Sequence, residues 1–279
     1  MDLQLKGKHI LVTGASGGIG RAIVKLLYEE RASITLQVFQ NIDGARNFLL
    51  EYKEKERINL VKADLRKEAD VSNLFAIANE KLGRIDGLVA NAGIWPNEAK
   101  FTSELSLEQW NNTLNVNLTG VFLCVKEFFK NLQEYPENQA SIVLIGSTAG
   151  LFGEAGHADY SATKSALMYG LTKTWKNEIV HFASEGRVNT VAPGWTYTPM
   201  AEGSLKNKEE VKNILQTIPL RKIASVDDIA SAVLFLLSDK FSGHISGETL
   251  MVDGGMEGRR LFNKDQISMD FLKKLFKDK

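Results

Sequence analysis

Thr13-Gly14-Ala15-Ser16-Gly17-Gly18-Ile19-Gly20 decides how this chain folds. The apolar run His9 to Thr13 leads into it, and the amphipathic stretch Ile19 to Glu30 leaves it. A turn between a strand and a helix presents the free N–H groups of the helix start to an anion. Gly14 permits the tight turn, Gly18 lets backbone approach a pyrophosphate, and Gly20 lets the helix close on the strand. Glycine content alone would also suit an ordinary loop, but the strand before and the helix after supply the context of a dinucleotide site. Gly14, Ser16, Gly17, Gly18, Ile19 and Gly20 are its candidate residues, at the spacing G-x-x-x-G-x-G.

The same rhythm runs outward along the chain. Strands are predicted at Ser33 to Phe39, Ile58 to Lys62, Asp86 to Ala90, Ser141 to Ile145, Arg187 to Val191 and Thr249 to Val252. Helices are predicted at Asp43 to Glu56, Glu68 to Leu82, Leu107 to Leu132, His157 to Phe182 and Val226 to Leu237. Apolar runs of about five residues alternating with longer amphipathic stretches imply parallel strands buried on both faces. The expected fold is a Rossmann-type, doubly wound α/β domain with a seven-stranded parallel sheet. Ligands of such sheets bind beyond the carboxyl ends of the strands, where Trp95 to Ser103 and Trp195 to Pro219 depart. Ala201 to Gln216 reads as a short lid over the pocket.

Composition narrows the function classes. The 279 residues are 44% hydrophobic and 24% charged, which suits one soluble domain. Thirty-four basic residues balance thirty-four acidic ones, so no global field favours nucleic acid or an anionic membrane. Cys124 is the single cysteine, which excludes an internal disulfide and multi-cysteine metal sites, and no metal is expected. Met1 to Lys8 has no apolar stretch of signal-peptide length, so a cytoplasmic protein is expected.

The sequence resembles the short-chain dehydrogenase/reductase family over roughly Leu5 to Gly255. Besides the glycine turn it carries Asp64, Asn91-Ala92-Gly93, Asn117, Ser147, Tyr160, Lys164 and Pro193-Gly194 in the family's order. Val191-Ala192-Pro193-Gly194 and Val252-Asp253-Gly254-Gly255-Met256 are similar to the branch of 3-oxoacyl-carrier-protein reductases and many sugar and secondary-alcohol dehydrogenases. The resemblance implies an NAD(P)-dependent oxidoreductase interconverting a carbonyl and a secondary alcohol. It also implies that Asp64 and Leu65 lie at the adenine, that Asn91, Ala92 and Gly93 line the adenosine ribose, and that Pro193, Gly194, Thr196 and Thr198 hold the nicotinamide end. A homotetramer, built through the two long helices, is the family's common assembly.

Chemistry gives the four polar residues their expected roles. Hydride transfer at a carbonyl needs a proton donor at the oxygen. Tyr160 is the acid/base, and Lys164, four residues later on the same helix face, is placed to stabilise its phenolate. Ser147 anchors the reacting oxygen. By resemblance, Lys164 also contacts the nicotinamide ribose, and Asn117 supports a water relay behind Lys164. A Tyr-x-x-x-Lys pair alone would be an ordinary helix-surface pair; its coincidence with the glycine turn gives it meaning. A non-catalytic dinucleotide scaffold is the reading of another class, and it does not explain why the full polar set is intact.

The cofactor form turns on the end of the second strand, where NAD enzymes place a carboxylate for the ribose hydroxyls. That position is Val38, followed by Phe39, Gln40 and Asn41, so NADP is favoured and NAD is the alternative. Gln37, Gln40, Asn41 and Arg46 are candidate phosphate partners. Trp95, Glu154, His157 and Trp195 are candidate substrate contacts, which leaves an acyl thioester, a sugar and a simple ketone open. His157, at a helix start, also reads as a cap. The chain divides into a Rossmann domain, 1–258, and an extension, 259–279. In the extension Ile267, Phe271, Leu272, Leu275 and Phe276 recur at helical spacing. Packing against its own subunit or a neighbour, where it would border that neighbour's active site, is expected rather than membrane binding.

Overall fold

The computed structural model describes residues 2–96 and 98–270. Seven parallel strands are hydrogen-bonded in the order β3-β2-β1-β4-β5-β6-β7. They span β1 His9–Val12, β2 Ser33–Val38, β3 Ile58–Lys62, β4 Gly87–Ala90, β5 Ser141–Ile145, β6 Arg187–Pro193 and β7 Thr249–Val252. The order reverses between β1 and β4, which is where a crevice opens at the carboxyl edge. Every residue of β1, β4, β5 and β6 is buried, as the unbroken apolar runs required.

Helices cover both faces. On one side α1 (Gly18–Glu29), α2 (Ile42–Leu49) and α11 (Val226–Leu237) pack Ile23, Leu27, Ala45, Val233 and Leu237 against Ile10, Leu36 and Val143. On the other, α3 (Glu68–Leu82), α5 (Gly120–Glu134) and α8 (Thr172–Ile179) bring Leu74, Phe128 and Trp175 onto Leu11, Leu88 and Ile142. Each fully buried Val, Leu, Ile or Phe side chain among these stabilises the fold by about 1.5–3 kcal/mol.

The predicted long helices are not uniform. α4 (Leu107–Leu114) runs into α5 through a wide π turn, Asn115–Thr119, and α7 (Ala158–Ser165) into α8 through another, Ala166–Leu171. The second helix is shorter than the predicted Asp43 to Glu56: after Leu49 the chain leaves the helix, and Tyr28 Oη accepts the N–H groups of Lys53 and Glu54 at 3.1 Å. β6 extends two residues beyond the predicted Val191, to Pro193.

Beyond β6 lies a third, smaller apolar cluster. The lid region forms two helices, α9 (Glu202–Lys206) and α10 (Lys208–Leu215), which bury Leu205, Val211 and Leu215 together with Ile218 and Ile223. Ile267 of the extension is buried there too, with Phe262 and Met269 against the same cluster. Up to residue 270 the extension therefore packs on its own chain, whereas Phe271, Leu272, Leu275 and Phe276 lie outside the described residues.

Candidate active site

A cavity of about 480 Å³ opens at the reversal of strand order, within the range of small-molecule sites. Its cofactor-side wall is the glycine turn. Gly14 has φ of +62°, and a Cβ there would meet Ala92 Cα at 2.8 Å. A Cβ on Gly20 would lie 2.4 Å from the Gly14 carbonyl oxygen, so only glycine lets the turn close on itself. Gly17 is the N-cap of α1 and offers no side-chain cap, which leaves the helix's first-turn N–H groups to an anionic ligand. This backbone cradle fits a pyrophosphate.

Side chains on or next to three strands hold that cradle. Thr13 Oγ1 accepts the N–H groups of Asn91 and Ala92 at 3.0 Å each, and Asn91 Nδ2 donates to the carbonyls of Thr13 at 2.9 Å and Gly14 at 3.1 Å. The turns after β1 and β4 are thus stitched together. Gln37 is buried and fully engaged, accepting Gly14 N–H at 2.9 Å and donating to Ala63 O at 2.7 Å, so it is not available to a phosphate. Arg46 pairs with Asp43 on the exposed face of α2 and does not line the cavity. Arg21 and Asn41 do line it. Arg21 Nε donates to Ser16 O at 3.0 Å and Nη2 to Gly44 O at 3.2 Å, which holds the guanidinium between the turn and α2.

The other predicted cofactor residues divide. Ser16, Gly17, Gly18, Ile19, Asn91, Ala92, Gly93, Pro193, Gly194, Thr196 and Thr198 line the cavity. Asp64 and Leu65 stand outside it. The Asp64 carboxylate is forked by Arg66, with Nε at 2.9 Å and Nη2 at 2.8 Å, and this guanidinium holds its pKa below the ordinary value.

At the far end β5 delivers Ser147, and the helix after it, α6 (Thr148–Phe152), is absent from the predicted elements. Ser147 is its N-cap, with Oγ accepting Ala149 N–H at 3.2 Å. Its hydroxyl also hydrogen-bonds Tyr160, pulling the phenol pKa down against a larger upward push from burial that leaves it at about 12. Lys164 is buried, donates from Nζ to Ile145 O at 2.7 Å, and is lowered to about 8 by burial. Its ammonium lies 5.6 Å from the centre of the Tyr160 ring. In the chain by itself Tyr160 is raised by desolvation and eased only by Ser147, so the expected lowering by Lys164 is not seen.

Asn117 sits buried in the first π turn, outside the cavity lining. Its Oδ1 accepts Ile94 N–H at 2.8 Å and its Nδ2 donates to Ile94 O at 2.9 Å. A Cβ on Gly93 would be 3.3 Å from Asn117 Oδ1 and 3.6 Å from Lys164 Nζ, so both groups converge behind the turn after β4. Asp159, which sequence reasoning missed, is fully buried beside Tyr160. Its Oδ2 accepts Thr113 Oγ1–H at 2.7 Å and its Oδ1 accepts Tyr160 N–H at 2.9 Å, tying the tyrosine's turn to α4. No local pattern marks an aspartate beside a tyrosine; only the α4–α7 packing reveals it.

Trp95, Glu154 and Trp195 line the cavity, whereas His157 does not. His157 precedes α7 and stacks behind Trp95 with ring centres 3.8 Å apart, and Trp95 meets Tyr160 edge-on at 4.7 Å. Burial raises the Glu154 pKa and lowers that of His157. Among the described residues no cluster of three or more His, Cys, Asp or Glu side chains is placed to hold a metal ion.

A phosphate cradle leading to a serine, a tyrosine and a buried lysine defines a dinucleotide-dependent oxidoreductase site. The comparisons with known proteins agree. A family model described as enoyl-(acyl carrier protein) reductase matches residues 14–257. A 3-oxoacyl-[acyl-carrier-protein] reductase of Synechocystis sp. is 36% identical over 255 residues, covering 90% of this chain and 98% of the relative. An acetoacetyl-CoA reductase of the same organism is 36% identical, over 91% of this chain and 98% of its own length. The crystal structure of a short-chain dehydrogenase/reductase, glucose/ribitol dehydrogenase, from Brucella melitensis superposes with a TM-score of 0.83 at 35% identity, covering 92% of this chain and 99% of that one. The chain belongs to the short-chain dehydrogenase/reductase family, whose cofactor is a nicotinamide dinucleotide.

Proposed function

We propose that this enzyme is an NADP-dependent reductase of 3-oxoacyl thioesters. The observation that carries it is the continuous cavity that joins the glycine cradle to Ser147, Tyr160 and Lys164. The relatives named as 3-oxoacyl and acetoacetyl thioester reductases support the substrate class. NADP is supported by the wall next to Gly17 and Asn41: Arg21 lines it, and among the described residues Glu154, at the catalytic end, is the only acidic side chain lining the cavity. Gly14 to Gly20 would hold the pyrophosphate, and Lys164, Pro193, Gly194, Thr196 and Thr198 the nicotinamide end. When bound, the reduced cofactor supplies the hydride.

The chain's own residues then manage the oxygen. Ser147 Oγ–H donates to the substrate carbonyl and orients it. Tyr160 Oη–H transfers its proton to that oxygen as the alcohol forms, and a pKa of about 12 keeps the phenol protonated and ready at neutral pH. Lys164, protonated below about pH 8, stabilises the resulting phenolate. Its convergence with Asn117 behind Gly93 supports the return of the proton by way of the first π turn. Trp95 and Trp195 wall the pocket against water.

Oxidation of a sugar or another secondary alcohol is the second reading, favoured by the Glu154 carboxyl between aromatic walls, which can accept hydrogen bonds from hydroxyls. A homotetramer is proposed from the family, and a cytoplasmic location from the single, buried cysteine. Among the described residues no helix is long and apolar enough to cross a membrane.

Turnover of acetoacetyl-CoA with NADPH and with NADH tests the proposal, with Tyr160→Phe as the control. The expected result is NADPH preferred by more than about tenfold, with turnover lost by about 10²–10⁴-fold in the variant while cofactor binding persists. Activity only on polyols with NAD would establish the second reading, and full activity in Tyr160→Phe would refute both.

A further inference from the structure

The family match ends at residue 257, and the chain does not. The segment beyond that point is tied to the lid at several independent places. The Glu257 N–H donates to Thr217 O at 3.2 Å. The N–H groups of Leu261 and Phe262 donate to the Gln216 carbonyl at 2.6 and 3.3 Å, and the buried Gln216 returns a bond from Nε2 to Phe262 O at 2.7 Å. A capped turn, Lys264–Gln266, presents Lys264 to Glu209 of α10 and delivers Ile267 into the lid cluster. At its other end the segment crosses α6: a Cβ on Gly258 would lie 2.9 Å from the Phe152 ring.

The cluster joined in this way is also the back of the cavity wall. Trp195 and Ala201 pack against it, and both line the cavity. We propose that residues 256–270 form a strap that holds α10 against the substrate end of the cavity and thereby sets substrate affinity, with Phe262 and Ile267 as positioning residues. This rests on the reading of that end as the substrate site. The strap's bonds to the rest of the chain run to Thr217, Gln216 and Glu209, so its action is on substrate binding and not on cofactor binding or proton transfer.

Hydrogen exchange and kinetics on the full chain separate these effects. In Phe262→Ala and Ile267→Ala, amides of Val211 to Leu215 are expected to exchange about tenfold faster or more, with β5 and β6 unchanged. KM for acetoacetyl-CoA should rise roughly five- to tenfold, with kcat and NADPH affinity within about twofold. Phe262→Leu and Ile267→Val should restore both. A surface pair provides a test that spares the core: Lys264→Glu should loosen α10, and adding Glu209→Lys should tighten it again. Unchanged exchange in α10, or a KM that stays put while kcat falls, overturns the strap. If the wild type does not turn over acetoacetyl-CoA, the substrate assignment fails, and the exchange data still decide whether the strap holds the lid.

Discussion

In the proposed reaction Lys164 acts as an ammonium in a place that penalises charge. Its pKa of about 8 means that it is protonated below that pH and neutral above it. Tyr160, at about 12, stays protonated throughout. For carbonyl reduction, kcat/KM is therefore expected to be flat below about pH 7 and to fall about tenfold per unit above pH 8 as the ammonium is lost. A pH–rate profile from pH 6 to 10 checks this, and a profile flat to pH 10 would contradict it. Asp159 acts at the same scale by holding the turn that carries Tyr160. Asp159→Asn retains the shape but weakens the charged hydrogen bond to Thr113, so kcat should drop roughly tenfold and stability by about 1–3 kcal/mol, read by kinetics and urea unfolding. Placement was legible where a residue faces the cavity, as for Ser147 and Tyr160. It was illegible for Gln37, whose placement beside Gly14 and Ala63 depends on strand register.

Elements ending in small polar residues were the easiest to place. α3 and α11 have the ends expected of them, Glu68–Leu82 and Val226–Leu237, because Gly83 and the Ser225 capping box punctuate the sequence there. α6 escaped because five residues are too few to show a period. The π turns escaped because two apolar stripes meeting one residue out of step still read as one long stripe. One junction between elements is densely hydrogen-bonded. The buried Arg187 at the start of β6 donates to the carbonyls of Leu236 and Leu237 at the end of α11 and to Asp239. It serves as the C-terminal cap of that helix and as the partner of that carboxylate. Arg187→Leu leaves Leu237 O and the Asp239 carboxylate without this donor, while Leu236 O keeps the Ser141 and Ser242 hydroxyls, and should cost about 3 kcal/mol, measured by denaturant unfolding, with NADPH affinity little changed.

Across the whole molecule, the half from β1 to β4 forms the glycine turn and the half from β5 onward carries Ser147, Tyr160 and Lys164. A ligand spanning both halves must stabilise the fold as a unit. NADPH at a hundred times its Kd should therefore add about 2.7 kcal/mol and raise the Tm, with NADH at the same concentration adding less. Thermal unfolding with each nucleotide reads this directly. The sheet order was foreseeable only as a class, since alternation in the chain says that strands are parallel but not which ones are neighbours. The lid cluster could not be foreseen, because residues near 205, 215 and 267 meet only in three dimensions. The two wide turns have a consequence for how the gene can change. Each long helix contains one residue more than even winding requires, and a residue corresponds to about 100° of rotation. Deleting one codon within Asn115–Thr119 would swing Thr113 away from Asp159 while leaving the apolar face of α5 intact. The chain would still fold its sheet, yet the tyrosine would lose its anchor, so a change in length here costs the site even where every side chain is kept.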